Sequence, residues 1–174
     1  EAVVRADAVG ATSGEARLAL SDRHPTLASL DADWRASIGA RNASFADVEW
    51  EREVTVPLVT LETLIATYGV PSFCKIDVEG AELAVLSGLE QALPALSFEY
   101  VAGREDQARA CLERLASLGD YRYNVTVGEQ RRMALADWQT ASGLQEWLTA
   151  HAAAAGSGDI YARLIPGDGR DRRR

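Results

Sequence analysis

The sequence predicts an α/β fold in which a doubly wound sheet carries helices on both faces. From residue 52 onward, extended segments alternate with helical segments, an order typical of a parallel or mixed sheet. The chain has 174 residues, of which 47% are hydrophobic and 25% charged, enough for one sizeable core. Its net charge of -8 argues against an extended nucleic-acid surface, because duplex binding depends on Lys and Arg side chains. We therefore expect one domain that binds no nucleic acid.

The first 50 residues are predicted to form two strands and a long excursion. The β-rich segments EAVVRADAV and GEARLAL flank the turn GATSG. Residues 21–50 show no clean periodicity and are predicted to be a loop with short helical pieces. The aromatic residues of this excursion, Trp34, Phe45 and Trp50, either stack on the ring of a bound molecule or simply pack on the sheet. The sequence leaves both possibilities open.

Regular alternation begins after the excursion. REVTVPL is a predicted strand, and Thr60 caps a helix whose apolar residues recur at i, i+3, i+4 and i+7 before Gly69 ends it. SFCKIDV is the next strand, and EGAELAVLSGLEQAL is a helix that ends before Pro94. The remaining predicted elements are the strand ALSFEYV, the helix EDQARACLERLASLG, the strand YRYNVTV, the helix LQEWLTAHAAAA and the strand DIYARLI.

Carboxylates follow two of these strands at their carboxyl ends. Asp77 ends SFCKIDV, Glu79 lies in the turn, Glu82 lies in the first helical turn, and Glu99 lies near the end of ALSFEYV. Ligands of such sheets bind beyond the carboxyl ends of the strands. Spacing alone does not decide between an active site and a structural set, in which Glu82 compensates the helix dipole and Lys75 pairs with Asp77.

A family resemblance adds to this pattern. TLETLIATYGVPSFCKIDVEGAELAVLSGL followed by PALSFEYV resembles the central signature of FkbM-family methyltransferases: a TL-x-x-L helix, a K-I-D-V-E-G-x-E turn and an S-x-E strand. DAVGATSGEARLALSD and SGDIYARL resemble further segments of the family, so the resemblance spans roughly residues 3–165. It implies a class I methyltransferase with a Rossmann-like sheet, S-adenosylmethionine as donor and a hydroxyl acceptor on a sugar, glycan or secondary metabolite.

The resemblance also implies roles for the carboxylates. Asp77, Glu79 and Glu99 are the candidate catalytic residues. Asp77 would lie beside the methyl donor, where it could orient the acceptor hydroxyl or take its proton, and Glu79 and Glu99 would line the same cleft. Lys75 would brace Asp77. The protein would chiefly have to align donor and acceptor and exclude water.

Further positions are weaker candidates. Asp7, Ala8 and Asp77 are candidate donor-binding residues, and His24 and Trp34 are candidate acceptor-binding residues. No metal site is predicted, because the sequence has no HxxxH, HExxH or Cys/His cluster and two carboxylates do not establish a magnesium site.

The sequence departs from the family pattern at its start. The family's D-V-G-A-N-x-G donor loop, and the following strand that ends in a ribose-binding acid, have no counterpart here. We therefore expect residues 1–165 to be the C-terminal portion of a methyltransferase domain without the first two strands, inactive in isolation, and residues 166–174 to be a basic, disordered tail. The alternative is a non-catalytic Rossmann-like binding or assembly module, or an inactive truncated product.

The cellular location is predicted from three features. The sequence has no signal peptide and no run of about 18 apolar residues, so no membrane span is expected. Cys74 and Cys111 lack metal-site spacing and lie in apolar segments, which favours reduced core thiols. We expect a cytoplasmic protein, and the sequence does not indicate its oligomeric state.

Overall fold

The computed structural model describes residues 2–166 and confirms the α/β class. The strands are β1 (Ala8–Val9), β2 (Gly14–Leu20), β3 (Arg52–Val59), β4 (Cys74–Ile76), β5 (Ala95–Val101), β6 (Tyr121–Val125) and β7 (Ser157–Leu164). The helices are α1 (Ala32–Arg41), α2 (Leu61–Tyr68), α3 (Glu82–Ser87), α4 (Glu105–Leu118) and α5 (Ala141–Ala155), with a 3₁₀ turn at Ala43–Phe45. No helix within residues 2–166 is long and apolar enough to cross a bilayer. The predicted basic tail lies outside the described residues except for Pro166.

The strands form two sheets where the sequence predicts one. The first sheet has the order β1-β3-β2, with β3 parallel to β1 and antiparallel to β2. The second has the order β4-β5-β7-β6, with β4 and β5 parallel and β7 antiparallel to both its neighbours. Because β3 takes β1 on one edge and β2 on the other, no strand of residues 2–166 joins the two sheets. Across the described residues, β4 therefore pairs with β5 alone.

Several elements are shorter than their sequence patterns predict, among them the first strand and α3. The first strand is reduced to β1, which pairs with β3 through only two residues. Helix α3 ends at Ser87, well before Pro94, with Gly88 as its C-cap. The chain at Gly88 passes so close to the carbonyl of Gly10 that a side chain there would overlap it. The residues that follow stay in the core without helical structure, as Leu93 shows by being fully buried.

The second sheet has one apolar and one polar face, as the period of two along a strand requires. The apolar face packs against α3, α4 and α5 and is built from Ile76, Leu96, Phe98, Tyr100, Tyr121, Tyr123, Val125, Ile160 and Ala162. The polar face carries Lys75, Ser97, Glu99, Asp159 and Tyr161, which alternate with these residues along the strands. Helix α1 packs at the end of β5, where Trp34 and Ile38 contact Val101 of the polar series.

Candidate active site

The turn between β4 and α3 has a conformation fixed by its neighbours. Glu79 has φ of 50° and Gly80 has φ of 99°, both in the left-handed region that non-glycine residues rarely adopt. The Ser29 hydroxyl donates to the Glu79 carbonyl at 2.6 Å, and the Gln107 side-chain amide donates to the Gly80 carbonyl. The Trp34 ring occupies the space that a Cβ atom on Gly80 would need. Residue 80 therefore has to be glycine, because of its positive φ and because the Trp34 ring leaves no room for a Cβ atom.

Glu82 closes this turn from inside the protein. Its side chain accepts hydrogen bonds from the backbone N–H groups of Val78 and Gly80, both at 3.3 Å, and from the Gln107 amide at 3.2 Å. The residue is 3% exposed. Burial raises the pKa of Glu82, while the backbone hydrogen bonds oppose the rise. Glu82 thus holds the turn in shape.

Asp77, Glu79 and Glu99 converge on the other side of the turn. One carboxylate oxygen from each lies within 4.8 Å of the others. No backbone N–H group within residues 2–166 donates to these carboxylates, in contrast to Glu82. The three residues named from the sequence as catalytic are therefore neighbours, although their roles stay a prediction. Their spacing would also suit a divalent cation, but carboxylates alone do not establish one.

Burial and the neighbouring negative charges raise the pKa values of two of these carboxylates. Burial, followed by the charges of Asp77 and Glu82, raises the pKa of Glu79 to about 7. Burial, followed by the charges of Glu79 and Asp77, raises the pKa of Glu99 to about 8. A carboxylate whose pKa lies near neutrality is suited to accept and release a proton at physiological pH.

Lys75 links this acidic cluster to a fourth acid, Asp159. The Lys75 Nζ atom lies 2.7 Å from Asp159 Oδ1 and 3.2 Å from Asp77 Oδ2, which agrees with the predicted pairing of Lys75 with Asp77. Burial alone would lower the pKa of Lys75, but its hydrogen bonds to Asp159 and Asp77 raise it. Asp159 was not among the site residues predicted from the sequence. The available signal was the alternation in SGDIYARL, which places Asp159 and Tyr161 on one face.

The predicted donor-binding residues of the N-terminal segment lie apart from the large cavity described below. Asp7 forms an ion pair with Arg5 at 2.7 Å, and Ala8 pairs with Leu58 in the first sheet. Neither residue lines that cavity, although the adjacent residues 10–12 do. Their role in donor binding stays a prediction.

The two predicted acceptor-binding residues have different environments. His24 is exposed in the loop after β2, where its backbone N–H donates to the Ser21 hydroxyl. Trp34 is 1% exposed and makes edge contacts with Phe45 and Trp50, with ring centroids 5.4 and 5.9 Å apart. The ring is thus packed inside the protein in this structure, and the acceptor-binding roles of Trp34 and His24 stay predictions. The Trp34 ring packs directly against Gly80.

Two cavities adjoin the turn and the acidic cluster. The larger, about 740 Å³, lies between the β1–β2 turn and the N-terminal ends of α1, α3 and α4, and it reaches the turn at Gly80 and Ala81. The smaller, about 420 Å³, is bounded by Asp159 and Tyr161 of β7 and by the segment that follows β6. None of the three clustered carboxylates lines either cavity. Asp159, which lines the smaller cavity, forms an ion pair with Lys75, and Lys75 in turn contacts Asp77 of the cluster.

Comparison with known proteins gives one assignment. The family model described as the methyltransferase FkbM domain matches residues 6–125, which are 120 of the 174 residues. The match includes the K-I-D-V-E-G turn and the strand that carries Glu99. A search of curated proteins gave no match. The Rossmann-like α/β architecture agrees with this assignment, and the chain belongs to the FkbM family of methyltransferases.

Proposed function

We propose that this protein is an S-adenosylmethionine-dependent O-methyltransferase whose acceptor is a hydroxyl on a sugar, glycan or secondary metabolite. Family membership implies a methyl donor. The observation that carries the proposal is the convergence of Asp77, Glu79 and Glu99 within 4.8 Å at the carboxyl ends of β4 and β5. In α/β sheets this is where ligands bind.

The proposed chemistry needs an activated methyl group from the donor and two tasks from the chain. The donor supplies a methyl group that its sulfonium already activates. Asp77 orients the acceptor hydroxyl by accepting its hydrogen bond, and Glu79 or Glu99 takes the proton that the hydroxyl loses. The pKa values of about 7 and about 8 support this, because a base with such a pKa is unprotonated in part at neutral pH and holds the proton it gains.

Residues of this chain could contact the sulfonium part of the donor, but not its methionine part. The acidic cluster complements the positive charge of a sulfonium, and we propose that Asp77, with Asp7 and Ala8, contacts the donor. The sequence contains no glycine-rich loop of the family type to hold the methionine part. We therefore expect residues 1–174 in isolation not to bind S-adenosylmethionine measurably.

A second candidate function is a non-catalytic binding or assembly module. The lack of a donor loop in residues 1–174 favours it, together with the edge of β4 that pairs with nothing among the described residues. In that case the acidic cluster would bind a partner or ligand without methyl transfer.

Isotope-labelled methyl transfer separates the two candidates. The full-length gene product is incubated with labelled S-adenosylmethionine and a panel of hydroxylated sugars, glycans and phenols. The enzymatic proposal predicts acceptor-dependent transfer of label to an oxygen atom. Binding of acceptors without any transfer would favour the binding module, and titration calorimetry of the 174-residue chain with the donor tests the expected lack of binding.

A further inference from the structure

The smaller cavity lies on the polar face of the second sheet, beneath the segment that follows β6. We call residues 126–133 the β6 loop. The cavity has a volume of about 420 Å³, within the range of small-molecule sites. The β6 loop forms one wall, and Asp159 and Tyr161 form the other.

The β6 loop is held in place at both ends by backbone hydrogen bonds. Thr126 donates to Asp159 at 2.9 Å and Gly128 donates to Ser157 at 2.7 Å. Ala134, directly after the loop, donates to Val125 at 2.7 Å. The cavity wall is therefore formed before a ligand arrives, which lowers the entropic cost of binding.

The tip of this loop carries two arginines that no acidic side chain neutralises. Arg131, Arg132 and Glu129 all line the cavity, so two positive charges face one negative charge at this end. Neither arginine lies within 4.0 Å of a carboxylate oxygen of residues 2–166, that of Glu129 included. Arg132 makes one long contact, 3.4 Å, to the Gln130 side chain. On the opposite wall, the charge of Asp159 is paired with Lys75. Because a guanidinium binds carboxylates and phosphates through two parallel hydrogen bonds, this end of the cavity favours an anionic group.

The opposite wall leads to the acidic cluster and offers an aromatic surface. Asp159 reaches Asp77 through Lys75, with contacts of 2.7 and 3.2 Å. The Tyr161 ring, which Phe73 stacks against at a centroid distance of 6.2 Å, can contact the apolar face of a ligand ring. A ring-sized molecule with its anionic group at the arginines would thus extend toward the strand tips.

We propose that this cavity binds the methyl acceptor, and that the acceptor is a hydroxylated ring carrying a carboxylate or a phosphate. This rests on the proposed function for the identity of the reaction, but binding itself does not depend on methyl transfer. Arg131 and Arg132 hold the anionic group, and Tyr161 contacts the ring.

Nuclear magnetic resonance on the 174-residue chain tests the proposal with defined probes. Glucuronate, glucose 6-phosphate, neutral glucose and inorganic phosphate are titrated while the backbone amides are followed. We expect at least one anionic sugar to shift the amides of residues 128–133 and 161, and glucose to leave them unchanged. The double variant Arg131→Gln/Arg132→Gln should weaken that binding at least about tenfold, whereas Arg23→Gln, an exposed arginine in the loop after β2, should not.

The arms of the experiment separate the sources of the anion. Binding of glucuronate alone identifies a carboxylate, and binding of glucose 6-phosphate alone identifies a phosphate. The proposal is overturned if neither sugar shifts these amides, if the double variant binds as the wild type does, or if inorganic phosphate or glucose binds as well as the anionic sugars. Sugar binding at this cavity without methylation by the full-length gene product would contradict the proposed function while leaving the site in place.

Discussion

The turn between β4 and α3 presents carboxylates to two regions of opposite character. On its inner side, Glu82 is 3% exposed and accepts hydrogen bonds from two backbone N–H groups and from Gln107. On its outer side, Asp77, Glu79 and Glu99 crowd together within 4.8 Å. The only cation within salt-bridge distance of them among residues 2–166 is Lys75.

The contrast separates two uses of a carboxylate in a fold. A buried carboxylate with satisfied hydrogen bonds stabilises the local structure, whereas like charges held together destabilise it and raise one another's pKa. Strongly perturbed groups that no local donor satisfies are typical of functional sites. Changes on the inner side should therefore cost stability, and changes on the outer side should cost function.

The largest effect on stability is expected for Glu82→Ala. The change leaves the backbone N–H groups of Val78 and Gly80 buried without an acceptor, so the free energy of unfolding should fall by about 3–4 kcal/mol. Denaturant unfolding measures it, with the exposed Glu90→Ala as control, which should stay within about 0.5 kcal/mol of wild type. Equal effects of the two variants would remove the structural role of Glu82.

Gly80→Ala should follow, with a loss of about 2 kcal/mol. The new Cβ atom combines an unfavourable φ of 99° with overlap of the Trp34 ring. Gly128→Ala is a control, because Gly128 has φ of 52° but open space around its missing Cβ. We expect about 1 kcal/mol for the control. If both variants unfold at the same denaturant concentration, the Trp34 contact does not fix the turn.

A pH dependence should mark the outer side. The folded-state pKa values of Glu79, about 7, and Glu99, about 8, lie above the ordinary value of 4.5. The folded protein thus binds more protons than the unfolded chain between these values, and stability should fall as pH rises from about 4.5 to about 8. Unfolding measured across this range in wild type and in Glu79→Gln/Glu99→Gln should show that the double variant loses most of the decline. A decline of the same size in both proteins would place its origin elsewhere.

The smallest stability effect is expected for Lys75→Met. The Lys75 and Asp77 side chains are 47% and 48% exposed, and ion pairs of this kind contribute less than about 1 kcal/mol. Thermal unfolding of Lys75→Met and of the conservative Lys75→Arg should agree within that margin. A loss comparable to that of Glu82→Ala would mean that Lys75 is structural.

The sequence predicted local structure well because local signals determine it. Thr60 caps α2 by accepting from the Thr63 N–H, and Ala108, Cys111, Leu112 and Leu115 form the buried stripe of α4 as their spacing requires. The early end of α3 was not predicted, because the helical pattern of the sequence continues to Leu93, whereas the close approach of Gly88 to the Gly10 carbonyl depends on residues far apart in sequence.

The same distinction applies to the site. Asp77, Glu79 and Glu99 could be expected to lie close together because a strand-to-helix turn and a neighbouring strand carry them within a short stretch of sequence, and the family resemblance then named them as candidate catalytic residues. The alternation in SGDIYARL could place Asp159 on one face of its strand but not beside Lys75, because that approach depends on β7 inserting antiparallel between β5 and β6. The sequence left stacking and packing both open for Trp34, because it does not reveal that the Trp34 ring fills the space beside Gly80.

Asp77→Asn in the full-length gene product tests the central claim most directly, when turnover and the free energy of unfolding are both measured on the same sample. The methyltransferase account predicts that turnover falls by about 10² to 10⁴. It also predicts that stability changes by less than about 1 kcal/mol, since the side chain is half exposed. Turnover near that of wild type, or an activity loss that merely tracks unfolding, would contradict the account.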